Sequence, residues 1–199
     1  MHEYPRKEVV RHRDKLSNIG RFGTEPPSLR LKFELSTKLF SEMRKEFVMN
    51  MKTITRDLRV DTSVDRAFDL LVDPNHLPEI WPNIVEVKNV KRSKNHEGFN
   101  FSWIYKMSGV QFEGKCETIE YVPYERLVIK SNKGLDSTIT WRFQPGGRET
   151  QLIFKMEYQI PSSLLKKTKE EIVIHENEHE VDAMLQNLKS RLELELAYA

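Results

Sequence analysis

SSLLKKTKEEIVIHENEHEVDAMLQNLKSRLELELAYA, residues 162–199, decides the architecture of this chain. The stretch contains neither glycine nor proline, the two residues that disfavour a helix interior most strongly. Pro161 precedes it, and Ser162 or Ser163 is placed to cap the first free backbone N–H groups. Ile174, Val181, Met184, Leu185, Leu188 and Leu192 recur at helical spacing. At roughly 100° per residue they share one side. The spacing predicts a single long helix over 162–199. Such a helix is marginal alone in water and needs a surface to lie on.

That surface is read from the segment before it, residues 52–160. Ile54, Leu58 and Val60 suggest a first strand, with Arg56 interrupting the same face. Asp61-Thr62-Ser63 supplies capping side chains for a helix carrying Val64, Ala67, Phe68 and Leu71. Asp73-Pro74 ends it and opens a second short helix running to Trp81-Pro82. Six strand-like runs follow: 84–91, 99–107, 110–121, 126–130, 138–143 and 151–160. Ser108-Gly109, Pro123, Gly134 and Pro145-Gly146-Gly147 punctuate the joins. Short joins between neighbouring strands predict an antiparallel meander.

Period-two alternation is clearest in Phe99, Phe101, Trp103, Tyr105 and Met107, and again in Leu152, Phe154, Met156, Tyr158 and Ile160. Ile139, Trp141 and Phe143 form a third row, and Val110 with Phe112 a shorter fourth. A slip of one residue would turn a whole row outward, so these registers are well specified.

The order strand, two short helices, six strands, long terminal helix resembles the helix-grip pattern of the START-like (SRPBCC, Bet v 1-like) superfamily, in its polyketide cyclase/dehydrase-like branch. The likeness is carried by Val60-Asp61-Thr62-Ser63-Val64-Asp65-Arg66-Ala67-Phe68, Leu71-Val72-Asp73-Pro74, Leu77-Pro78 and Trp81-Pro82. It continues through residues 98–105, Phe112-Glu113-Gly114, residues 123–127, Thr140-Trp141-Arg142-Phe143 and Glu157-Tyr158. These motifs mark turns, caps and core positions. The resemblance implies an α+β fold, a curved antiparallel sheet wrapped on the C-terminal helix with a hydrophobic cavity between them. The likeness runs from about Lys52 to Glu195, within an expected domain over 49–199, and leaves residues 1–48 unexplained; their few apolar residues, Gly20, Gly23 and Pro26-Pro27 read as a poorly structured or partly helical extension. Leu39, Phe40, Met43 and Phe47 give that extension a short helical stripe, and Met49 and Met51 offer alternative starts.

The resemblance also implies binding or carriage of an apolar small molecule or lipid. A cyclase- or dehydratase-like enzyme in the same cavity is an alternative, and a co-chaperone-like interaction module using Phe40, Phe47 and Trp81 is another. The expected ligand-binding residues are Trp81, Trp103, Tyr105, Met107, Phe112, Trp141, Phe143, Phe154, Met156 and Tyr158. Pockets of this type are typically about 300–1,000 Å³. The bland reading is that the same side chains simply fill a core. Trp81 would stand at the cavity mouth or anchor its helix on the sheet. An enzyme would carry a polar pair inside, such as a carboxylate beside Tyr105 or Tyr158. The nearest polar strand residues, Arg142 and Glu117, point outward if Trp141 and Cys116 point in.

His175-Glu176-Asn177-Glu178-His179 matches the H-E-x-x-H spacing of zinc peptidases. A third ligand is required, and the extended form of the motif finds Leu185 where histidine belongs. Both histidines lie off the apolar stripe and are read as surface residues. No catalytic residue, metal or cofactor is assigned. Cys116, the one cysteine among 199 residues, rules out an intrachain disulfide and has no evident base to activate it. Net charge is +2, with 38% hydrophobic residues, and no run approaches the roughly 20 apolar residues of a membrane span. The expectation is a soluble, cytoplasmic protein that binds no nucleic acid, its aromatic residues facing inward.

Overall fold

The computed structural model describes residues 51–93 and 97–194, together with Ser36 and Leu39, both helical and exposed. The helical stripe expected through Phe40, Met43 and Phe47 lies outside the described residues. The chain forms two compact units, Met1–Glu46 and Phe47–Ala199, and the fold below belongs to the second.

Strand β1 (Met51–Val60) is followed by helix α1 (Val64–Val72), a 3-10 turn (Pro74–His76) and helix α2 (Leu77–Ile80). Six strands follow: β2 (Ile84–Arg92), β3 (Phe99–Met107), β4 (Val110–Val122), β5 (Arg126–Lys133), β6 (Ser137–Gly146) and β7 (Glu149–Gln159). Helices α3 (Ser162–Leu165) and α4 (Glu170–Leu194) complete the chain. The seven strands form one antiparallel sheet in the order β1-β7-β6-β5-β4-β3-β2. First and second strands therefore sit on opposite edges, and the helical segment between them must cross the sheet. Helix α1 packs on β6 and β7, and α2 reaches β2 and α4.

Local chemistry accounts for these elements. Ser108 and Gly109 both have positive φ, +46° and +74°, joining β3 to β4 directly after the Met107–Val110 pair. That is the conformation a two-residue hairpin needs to match strand twist. The Asp73 carboxylate accepts from the Asn75 backbone N–H at 3.0 Å, capping the 3-10 turn. Asn89, at φ +54°, lies where the β2–β3 register shifts between Lys88 and Lys91, as expected of a bulge. Ser63 occupies the N-cap of α1, but its hydroxyl does not bond the helix backbone.

The terminal helix expected over 162–199 is broken. Lys166, Lys167 and Lys169 crowd like charges at the join, and Thr168 is a weaker helix former. Glu170 and Glu171 then favour a fresh N-terminus there. The stripe also differs: Val173 is buried where Ile174 was expected, and Asn177 and Glu180 belong to the buried face. Arg56 stays on the inner side of β1 by meeting Asp182 of α4 at 2.7 Å.

Candidate functional site

The concave face of the sheet carries the aromatic rows. On β3, alternation turns Phe101, Trp103, Tyr105 and Met107 inward, each at most 6% exposed. Gly114, on the neighbouring strand, makes room for Trp103. A Cβ there would lie 2.6 Å from the indole and 2.2 Å from the Lys133 carbonyl oxygen, so only glycine fits. Trp103 and Tyr105 meet edge-on, with ring planes at 89° and centroids 5.5 Å apart. Trp141 on β6 and Met156 on β7 continue the wall, while Leu71, Ile80, Trp81 and Met184 close it from the helical side.

Between them is an apolar cavity of about 60 Å³. It is far below the 300–1,000 Å³ expected of a ligand pocket. The described conformation is therefore closed, its inner face nearly filled by three tryptophans and the side chains of α1, α2 and α4. Of the expected site residues, Trp81, Trp103, Tyr105, Trp141 and Met156 line this space. Met107, Phe112, Phe143, Phe154 and Tyr158 do not, although four of them are buried. Met107 and half-buried Phe112 lie toward the β3–β4 turn. Phe143 is covered by Phe68 of α1, ring centroids 5.1 Å apart. Phe154 is sandwiched by Trp81 and Trp141.

Tyr158 lies next to Asn177 of α4, whose amide lowers the phenol's pKa while burial raises it by more. Neither Tyr158 Oη nor Asn177 Nδ2 makes a hydrogen bond of ordinary geometry, and neither does Trp103 Nε1.

The sequence reading missed the central polar group, Glu180. It projects from the buried face of α4 and is 9% exposed. Its carboxylate accepts hydrogen bonds from the Trp81 indole N–H, the Asn83 amide and, at 2.7 Å, the Tyr105 hydroxyl. Trp81 thus anchors α2 to α4, and at 4% exposure it does not stand at an open mouth. Burial pushes the Glu180 carboxyl above the usual carboxylate range, and the bonds from Tyr105, Trp81 and Asn83 counter part of that rise. Tyr105 is raised well above an ordinary phenol, first by burial and then by the neighbouring Glu180 charge. A carboxylate beside Tyr105 is the polar pair expected of an enzyme, here supplied by the helix instead of the sheet.

Cys116 also borders the cavity, and burial pushes its thiol up to about 12. His175 and His179 are exposed on α4, their Nε2 atoms 3.0 Å apart. Among the described residues no cluster of three or more metal-ligating side chains occurs.

A curved seven-stranded sheet holding a long C-terminal helix is the helix-grip architecture of START and Bet v 1-like proteins. The family model for polyketide cyclase/dehydrase and lipid transport proteins matches residues 51–193, and the chain belongs to that family. No curated protein matches it by sequence. Among solved structures, a protein from Thermus thermophilus is 20% identical, with a TM-score of 0.59, over 74% of this chain and 99% of that one. A START superfamily protein from Mycobacterium smegmatis is 13% identical, with a TM-score of 0.57, over 70% of this chain and 96% of that one. The di-domain ARO/CYC protein StfQ of the steffimycin biosynthetic pathway is 19% identical, with a TM-score of 0.62, over 89% of this chain and 64% of that one. These likenesses establish the fold. No helix of the described residues is long and apolar enough to cross a membrane.

Proposed function

We propose that this chain binds and carries an apolar small molecule or lipid in the space between sheet and α4, as a cytoplasmic protein. The observation that carries the reading is the cavity of about 60 Å³ in the middle of the core, walled by all three tryptophans. Protein interiors pack to crystal-like density. A residual apolar space at the focus of the sheet's curvature marks where side chains can part. Binding then draws on a more open minor conformation, and the closed form sets the affinity penalty. Family membership supports the same reading.

Native mass spectrometry of the purified protein, followed by solvent extraction, tests it. An apolar molecule should travel with the protein and leave on extraction. If none does, and octan-1-ol leaves the tryptophan fluorescence unchanged, carriage is wrong.

A second reading, a cyclase- or dehydratase-like enzyme, is favoured by the Glu180–Tyr105 contact. Tyr105 borders the cavity and Glu180 stands behind it as a proton acceptor. Its sign would be turnover that disappears in Tyr105→Phe while ligand affinity persists. The interaction-module alternative loses Trp81, which is buried. Its other residues, Phe40 and Phe47, lie outside the described residues.

A further inference from the structure

We propose that the molecule bound in this cavity is an apolar cation, an aliphatic or aromatic body carrying a protonated or quaternary amine, with Glu180 as its counter-charge. The inference rests on the apolar-cavity reading and names the ligand's class.

The first observation is an unbalanced charge. The three groups bonded to the Glu180 carboxylate, an indole N–H, a side-chain amide and a phenol, are all neutral donors. Two of them, Trp81 and Asn83 through its amide nitrogen, can only donate, so the arrangement suits the ionised carboxylate. Among the described residues no ion pair to Glu180 occurs, and no cation among them figures in the shift of its carboxyl. Buried charges in proteins are ordinarily paired. Here the donors satisfy hydrogen bonding and, among the described residues, leave the charge itself uncompensated.

The second observation is capacity. A carboxylate offers about four acceptor positions. Asn83 and Tyr105 use Oε2, and Trp81 alone uses Oε1. One position remains on Oε1, the oxygen that Trp81 bonds; Trp81 and Tyr105 border the cavity, and Glu180 stands directly behind them, outside its lining.

The third observation is the wall. Trp81, Trp103, Tyr105 and Trp141 border one small space, and Trp103 and Tyr105 form a right-angled corner. Aromatic faces attract cations, tryptophan most strongly, and more so where water is excluded. An anion behind an aromatic wall favours a cation twice over and disfavours a carboxylate- or phosphate-bearing lipid. The chain's net charge of +2 supplies no general attraction for cations, so any preference for one is local.

The test uses the full chain and three probes with the same eight-carbon skeleton: n-octylammonium, octan-1-ol and octanoate. All three tryptophans border the cavity, so their fluorescence reads occupancy directly. At pH 7.5 octylammonium should bind at least about tenfold more tightly than octan-1-ol, a difference of about 1.4 kcal/mol, and octanoate more weakly than either. In Glu180→Gln the ammonium preference should fall to within about threefold, with octan-1-ol still bound. The wild-type comparison stands on its own if that variant does not fold. Equal binding of octylammonium and octan-1-ol, or tighter binding of octanoate, overturns the cation assignment and leaves the carrier reading in place. A preference that survives Glu180→Gln overturns Glu180 as its source. Binding of none of the three overturns the carrier reading and this inference with it.

Discussion

Tyr105→Phe removes one oxygen and tests the polar cluster without opening the apolar wall. Tyr105 is 5% exposed, and its hydroxyl donates to Glu180 at 2.7 Å. A hydrogen bond to a charged group contributes about 1.5–3 kcal/mol net, against about 0.5–1.5 for a neutral pair. The variant should therefore lose about 2 kcal/mol at pH 7.5, a large share of a typical stability of about 5–15 kcal/mol. With an m-value of about 2 kcal/mol/M, the urea midpoint falls by about 1 M.

The pH dependence makes the test specific. Glu180 has a folded-state pKa raised by burial, and the Tyr105 bond holds part of that rise back. A carboxyl raised in the folded state contributes stability that is full below its unfolded pKa and lost as pH rises through the folded value. Removing Tyr105 raises the folded value further, so the loss in the variant extends to higher pH. The gap between wild type and variant should be small near pH 4 and widen to its full size once Glu180 is ionised in both proteins. Urea titrations at half-unit intervals from pH 4 to 8 measure it. A gap that does not change with pH, or no gap at pH 7.5, refutes the argument. In a Glu180→Gln background the gap should lose its pH dependence.

Gly114→Ala should destabilise by about 3 kcal/mol or more, the upper end of overpacking, because the new methyl meets the Lys133 carbonyl and the Trp103 ring. Urea unfolding measures the loss, and a red-shifted tryptophan emission should accompany it. Cys116, with its thiol at about 12, should be nearly inert to iodoacetamide at pH 8, where about one molecule in ten thousand carries the thiolate. Labelling followed by mass spectrometry should show fast reaction only in denaturant. Met184→Ala removes a fully buried side chain that borders the cavity. It should cost about 2–5 kcal/mol while raising octan-1-ol affinity, read by urea unfolding and tryptophan fluorescence.

Most of the fold was legible because strand alternation is a local record of which side faces in. The β3 run from Phe99 to Met107 begins and ends as its alternation predicts. Ser108-Gly109 fixed the next turn through backbone conformation alone. The break between α3 and α4 was less visible, since apolar spacing carries no signal of like-charge crowding at Lys166, Lys167 and Lys169. A helical wheel that counts only apolar letters follows its stripe from Leu192 back to Val181 and then one heptad further to Ile174. The real buried face runs through Val173, Asn177 and Glu180.

Glu180 did leave a trace: it sits four residues before Met184 and beside Val181, at positions an inward face requires. A carboxylate there must find donors, and the positions of Trp81, Asn83 and Tyr105, far earlier in the chain, are set by the crossing segment and by β3. No spacing rule joins residues at such separations. Cavity size is harder still to read. It is the small difference between the space beneath a curved sheet and the summed volume of the side chains filling it, so a rotamer change at Trp81 or Trp103 alters it by much of its own size. The sequence therefore names the wall and leaves the opening to conformational energetics. In the proposed site, the Glu180 charge is the part whose preference in a ligand would not depend on that opening's width.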